Sequence, residues 1–144
     1  MDRYIEFVTN HWMLFIALIV VIILLIQDLL ENAFQKTKLL SPIQAVAEMN
    51  NSETVVIDCR EPHEYTKGHI PNSINVPLGK IDEKINELNL EKQRPVIVAC
   101  QIGSRSSAAG KKLSNAGFEH IYALRGGIQA WEDNHLPLKK GTQK

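Results

Sequence analysis

The rhythm of polar and apolar positions changes abruptly along this chain of 144 residues. Residues 13–26 contain no polar side chain, so a helix through them is apolar on every side, a pattern of burial or lipid contact rather than of a surface helix. After Gln27 the apolar residues come in short runs and at helical spacing, separated by polar turns. Ser41 followed by Pro42 predicts a capped helix that stops near Asn50 and Asn51. Thr54, Val55, Val56 and Ile57 predict a buried strand, followed by a polar loop from Arg60 to Pro71, and residues 73–76 predict a second strand. Ile81, Ile85 and Leu88 sit at helical spacing, and residues 95–100 make the clearest strand. A helix over 106–115 ends where Gly117 offers a left-handed residue. A strand over 120–124 leads through Gly126 and Gly127 into a last helix over 128–134. Strands alternating with helices predict an α/β fold with a mainly parallel sheet.

The apolar N-terminal segment predicts a transmembrane anchor spanning about residues 7–26, with Tyr4 and Trp12 at the headgroup level. A cleaved signal peptide fits less well, because Asp2 and Glu6 accompany Arg3 at the start and no small-x-small site follows. Lys36 and Lys38 on the C-terminal side predict a single-pass protein of the inner (cytoplasmic) membrane with its soluble domain in the cytoplasm. The expected organisation is an anchor and helix-compatible connector over residues 1–38 and one domain over 39–144, with the lipid bilayer as a partner.

Charge and cysteine content narrow the chemistry. The 16 basic and 16 acidic residues balance, which leaves no basic surface for a nucleic acid. Two cysteines, Cys59 and Cys100, are too few for a disulfide framework. Scattered histidines and the lack of a CxxC pair predict no metal site.

The strongest chemical signal is a hydrophobic strand that ends in Cys100 and turns through Gln101, Ile102, Gly103, Ser104 and Arg105 into a helix at Ser106. Ligands of open α/β sheets bind beyond the carboxyl ends of strands, and a helix start presents free N–H groups with partial positive charge. Gly103 lets the loop curl and Arg105 adds a full charge, conditions that acidify a thiol and favour attack on an anion. Cysteine-dependent phosphatases place five residues between cysteine and arginine. Here Gln101 to Ser104 are four, a smaller loop suited to a persulfide sulfur.

Three ordered motifs resemble the rhodanese-like sulfurtransferases. They are residues 56–65 with Gly68, His69, Ile70 and Pro71; the loop from Cys100 to Ser106; and residues 124–131, from Leu124 to Trp131. The resemblance covers roughly residues 39–137 and is closest to single-domain bacterial members with an N-terminal membrane anchor. It implies a three-layer α/β domain in which Cys100 accepts a sulfane sulfur from thiosulfate or a persulfide donor. The N–H groups of Gln101, Ile102, Gly103, Ser104, Arg105 and Ser106 then hold the persulfide, and Arg105 helps receive the anionic donor. Cyanide, a thiol or a protein cysteine accepts the sulfur, with no metal or cofactor in the cycle. Asp58 and Arg60 are expected to hold loops, Arg125 to anchor the active loop or add positive potential, and His69 and Trp131 to serve structure. Cys59 stands where the family commonly has an apolar residue and is expected to be a packing thiol, with a resolving thiol for Cys100 as the lesser alternative. Two alternatives remain beside the enzyme. One is a docking module for a membrane protein partner, the other a phosphatase or arsenate reductase.

Overall fold

The computed structural model describes residues 7, 10–33, 37–51, 53–88 and 90–142. It divides into two compact units, Met1–Gln35 and Lys36–Lys144.

In the first unit lies α1 (Trp12–Ala33), of 22 residues. Its side chains from Trp12 to Ile26 are exposed apart from half-buried Phe15. Among the described residues no helix is long and apolar enough to cross a membrane. The continuous apolar stretch ends at Gln27. At 1.5 Å per residue, its roughly 15 residues cover about 22 Å of a hydrocarbon core near 30 Å thick. Residues 8 and 9, expected to complete the span, and residues 1–6 lie outside those described, and with them Tyr4. The transmembrane anchor, the bilayer as a partner and the inner-membrane, cytoplasm-facing placement are therefore withdrawn.

The second unit is built on strands whose composition leaves no polar face. β2 (Val55–Asp58) and β4 (Val96–Ala99) are buried at every position. Such strands suit the interior of a parallel sheet covered on both faces. With β1 (Lys38–Leu40), β3 (Ile74–Asn75) and β5 (Ile121–Leu124) they form a sheet of five strands in the order β1-β5-β4-β2-β3. Every ladder is parallel. Alternate side chains of the strands divide the core between the two faces. On one face Val55, Ile57, Val96 and Val98 pack with Ile81 and Ile85 of α4 (Ile81–Glu87) and Leu113 of α5 (Ser106–Asn115). On the other, Val56, Ile97 and Ala99 pack with Ala45 of α2 (Pro42–Asn51) and with Ile128 and Trp131 of α6 (Gly127–Asp133). Each such aliphatic side chain contributes about 1.5–3 kcal/mol by leaving water.

Local signals account for most boundaries. The Gln44 N–H donates to the Ser41 hydroxyl (3.3 Å) while the Ser41 N–H donates to the Gln44 side-chain oxygen (2.9 Å), a reciprocal cap at the start of α2. Gly117 closes α5 with φ of 97°. Two elements differ from the sequence expectation. Lys38, expected in the connector, opens β1, an edge strand too short to show periodicity that exists through its pairing with β5. The stretch after Arg60, expected as polar loop, contains α3 (Pro62–Lys67). Pro62 at its first position and Glu64 at its third are the helix-start signature that was there to read.

Candidate functional site

β4 is the central strand of the sheet, and the backbone turns at its carboxyl end through residues 100–105 into α5. Cys100 stands at that turn and has no exposed surface. The loop wraps its sulfur: the Gly103 N–H donates to Sγ at 2.9 Å. Gly103 reaches this position with φ of 99°, a region that costs a residue with a Cβ but not glycine. The Ser106 hydroxyl donates to the Gly103 carbonyl at 2.7 Å and ties the loop to the helix start. Ile102 and Ser104 point outward, with Ile102 61% exposed.

The loop is held from below by α6. Ile128 N–H donates to the Cys100 carbonyl (2.8 Å) and Gln129 N–H to the Gln101 carbonyl (3.1 Å). Gly127, with φ of 64°, permits this approach, since a Cβ there would lie 2.3 Å from the Cys100 carbonyl oxygen. The Gly-Gly pair thus lets one helix start dock directly against the loop. Arg125, just before it, has an exposed side chain, and its backbone N–H donates to Leu40 of β1 at 2.8 Å.

Asp58 and Arg60 form a buried pair at the end of β2, with the Arg60 Nη2 donating to Asp58 Oδ2 at 2.7 Å. Arg60 also donates to the Gly68 carbonyl (2.7 Å) and, through Nη1, to the Gln101 side-chain oxygen (3.1 Å). One guanidinium therefore joins three segments: the end of β2, the turn after α3 and the loop beneath Cys100. His69 is buried, its ring stacked on Tyr65 at 3.7 Å and its Nδ1 paired with the Tyr65 carbonyl at 2.9 Å, which occupies it structurally. Trp131 is buried among the residues of its face and donates to the Pro137 carbonyl.

Arg105 is not free. Its guanidinium makes a bidentate pair with Glu64 of α3, at 3.1 and 3.0 Å. Glu64 Oε2 also accepts the Glu61 N–H at 3.0 Å. The Arg105 hydrogen bonds, with the Glu61 N–H assisting, hold the Glu64 carboxyl down at about 2, and Glu64 in turn pushes Arg105 up. Glu64 was missed as a site residue. Its helix-start position was legible, but its meeting with Arg105 depends on how α3 packs against the loop.

The two cysteines also stand side by side at the ends of β2 and β4, each acting on the other's acidity. Donation from Cys59, helped by the backbone N–H groups of Arg105 and Ser106 against the opposing effect of burial, brings the Cys100 thiol down to about 5. The Ser106 hydroxyl proton is engaged with Gly103, so the thiol and the backbone amides carry this effect. Cys59 is pushed strongly upward, first by its bond to the Cys100 sulfur and then by burial, and so stays a protonated donor. Cys100 thus carries an acidified sulfur under a collar of N–H donors at a helix start. The arrangement can hold a nucleophilic sulfur and stabilise negative charge added to it. A cleft of about 420 Å³ adjoins the loop, lined by Arg60, Glu64, Lys67, Gln101 and Glu132 among others. Among the described residues no cluster of His, Cys, Asp or Glu could hold a metal ion.

Residues 41–134 match the rhodanese-like domain. The uncharacterized protein YibN of Escherichia coli (strain K12) is 30% identical over 142 residues, covering 98% of this chain and 99% of that protein. Thiosulfate sulfurtransferase GlpE of Stutzerimonas stutzeri (strain A1501) is 35% identical over 98 residues, 68% of this chain and 87% of GlpE. Among solved structures, a thiosulfate sulfurtransferase from Pseudomonas aeruginosa superposes with a TM-score of 0.68 at 30% identity, over 78% of this chain and 22% of that one.

Proposed function

The chain belongs to the rhodanese-like domain family, and from that premise we propose that it is a sulfurtransferase that carries sulfane sulfur as a persulfide on Cys100. The observation that supports this reading is the acidified Cys100 sulfur at the carboxyl end of the central strand, bonded by the Gly103 N–H. Thiosulfate or a persulfide is the donor, and a thiol, a protein cysteine or, in the test tube, cyanide is the acceptor. The Cys100 thiolate attacks the outer sulfur of thiosulfate, an S–S bond forms, and sulfite leaves with the electron pair of the broken bond. The N–H groups of residues 101–106 stabilise the resulting Cys100 persulfide anion. The acceptor then takes the outer sulfur and restores the thiolate. Asp58 and Arg60 act as positioning residues by holding Gln101.

Thiocyanate formation from thiosulfate and cyanide by the full chain tests this reading, together with intact-mass detection of sulfur on Cys100. Turnover with a labile sulfur adduct supports it. Absence of both overturns it in favour of a docking role for the fold.

The acidity of Cys100 sets a pH profile. With the thiol down at about 5, the reactive thiolate is fully formed at neutral pH and is lost as pH falls through that value. The rate of persulfide formation from thiosulfate is expected to be flat from about pH 6 upward and to halve near pH 5, whereas an ordinary thiol is only half ionised at about pH 8.5 and keeps gaining above it. Stopped reactions analysed by intact mass measure it, and thiosulfate stays fully ionised throughout. A rate still rising above neutrality contradicts the expectation.

Glu64 neutralises the positive charge beside the loop. Glu64→Gln removes that competitor and is expected to lower the KM for thiosulfate about three- to tenfold at low ionic strength, less at high salt. Steady-state assays at two salt concentrations check this. A raised KM would mean that Glu64 serves chiefly to orient Arg105.

A further inference from the structure

Cys59 has a position that packing alone does not require. The β2–β4 ladder pairs Asp58 with Ala99, so Cys59 and Cys100 are the next residues on adjacent parallel strands. The Cys59 N–H donates to the Ala99 carbonyl at 2.9 Å, which keeps the register up to the cysteines. Neighbouring strands lie about 4.7–4.9 Å apart, within the range of about 4.4–6.8 Å between Cα atoms that a disulfide spans. Both side chains point to the same face, in the cluster with Val76, Val98 and Ala109, and neither has exposed surface. Both are free thiols in this structure. Closing a bond between them calls for side-chain rotation with little backbone movement.

We propose that Cys59 and Cys100 form a redox pair in which Cys59 closes a disulfide on Cys100 once a hydroperoxide has oxidised it. The Cys100 thiolate attacks the peroxide, breaks its O–O bond and becomes a sulfenic acid, and the peroxide leaves as an alcohol or water. Cys59 sulfur then attacks Cys100 Sγ. The S–S bond forms, the S–O bond breaks, and the departing hydroxide takes the Cys59 proton as water. Oxidation itself prepares this step, because the negative sulfur that held the Cys59 proton is gone. The disulfide keeps a second peroxide from carrying Cys100 on to the irreversible sulfinic acid. A dithiol reopens it. The peroxide reaches Cys100 by the route the sulfur donor uses, so on this point the proposal rests on the sulfurtransferase reading.

The test treats the full chain, as wild type, Cys59→Ser and Cys59→Ala, with hydrogen peroxide in severalfold molar excess and reads intact mass and a non-reducing peptide map. In the wild type the expected result is a loss of about 2 Da, a Cys59–Cys100 linked peptide, and an activity that falls at least about tenfold and returns with dithiothreitol. Both variants should gain two oxygens on Cys100, and the activity each loses, measured against its own untreated sample, should not return on reduction. Sulfinic acid on wild-type Cys100 without the linked peptide overturns the proposal, and this outcome is read on the wild type alone should a variant fail to fold. The sulfurtransferase reading fails separately, when reduced protein gains no dithiothreitol-labile sulfur from thiosulfate.

Discussion

Cys100→Ser is expected to abolish sulfur transfer, with thiocyanate formation reduced by at least about a thousandfold, or roughly 4 kcal/mol of transition-state stabilisation. The reason lies in the atom rather than in the volume. Serine is nearly isosteric, and the N–H of Gly103 that donates to Sγ at 2.9 Å can donate to an oxygen. The loop should therefore keep its form, held as before by the Ile128 and Gln129 N–H groups. What is lost is an ionisable group: the thiol comes down to about 5 in this site, whereas a hydroxyl stays protonated and forms no stable bond to sulfane sulfur. Folding measured by thermal melting should change little while turnover and the sulfur adduct both vanish. Residual turnover above about a tenth of wild type would place the nucleophile elsewhere, and Cys59 is the sole other cysteine in the chain.

Asp58→Ala is expected to have the largest effect on stability, about 3–5 kcal/mol, because it leaves the Arg60 charge buried without its partner. Asp58 is fully buried and Arg60 is 3% exposed, so water cannot take over. The variant removes the acceptor of three Arg60 side-chain contacts and of the Arg60 N–H. Against the ~5–15 kcal/mol that hold a typical domain, such a loss lowers the melting temperature by more than about 10 °C. Activity should fall as well, since Arg60 also holds the Gln101 side chain under the loop. Urea unfolding at neutral pH measures the first effect and KM against kcat the second. An unchanged urea midpoint would show that the guanidinium has found another carboxylate. The neighbouring Glu64, whose acidity already responds to Arg60, is the first candidate.

How much of this was legible beforehand differs by element. The strands at Val55–Asp58, Val96–Ala99 and Ile121–Leu124 were readable because each is a short run of aliphatic residues, which only a doubly covered sheet accommodates. Cys100, its loop and the helix behind it were readable because strand, glycine, arginine and helix start are contiguous in the chain. The apolar run at the N-terminus was equally visible, yet the membrane placement built on it did not stand. Apolar composition registers in a sequence at once, while the length a bilayer requires depended on residues flanking the run.

By itself the sequence determined the fold class, the parallel sheet and the place of Cys100 at the end of a buried strand, because these follow from periodicity and from neighbours along the chain. Only the tertiary structure decided the contacts across it. These are Glu64 on Arg105, Arg60 on Gln101, the docking of Gly127 against the Cys100 carbonyl, and Cys59 beside Cys100. Each joins residues between 27 and 41 positions apart in the numbering. Such pairs are fixed by strand order and by the packing of helices on the sheet, and no local pattern of side chains encodes them.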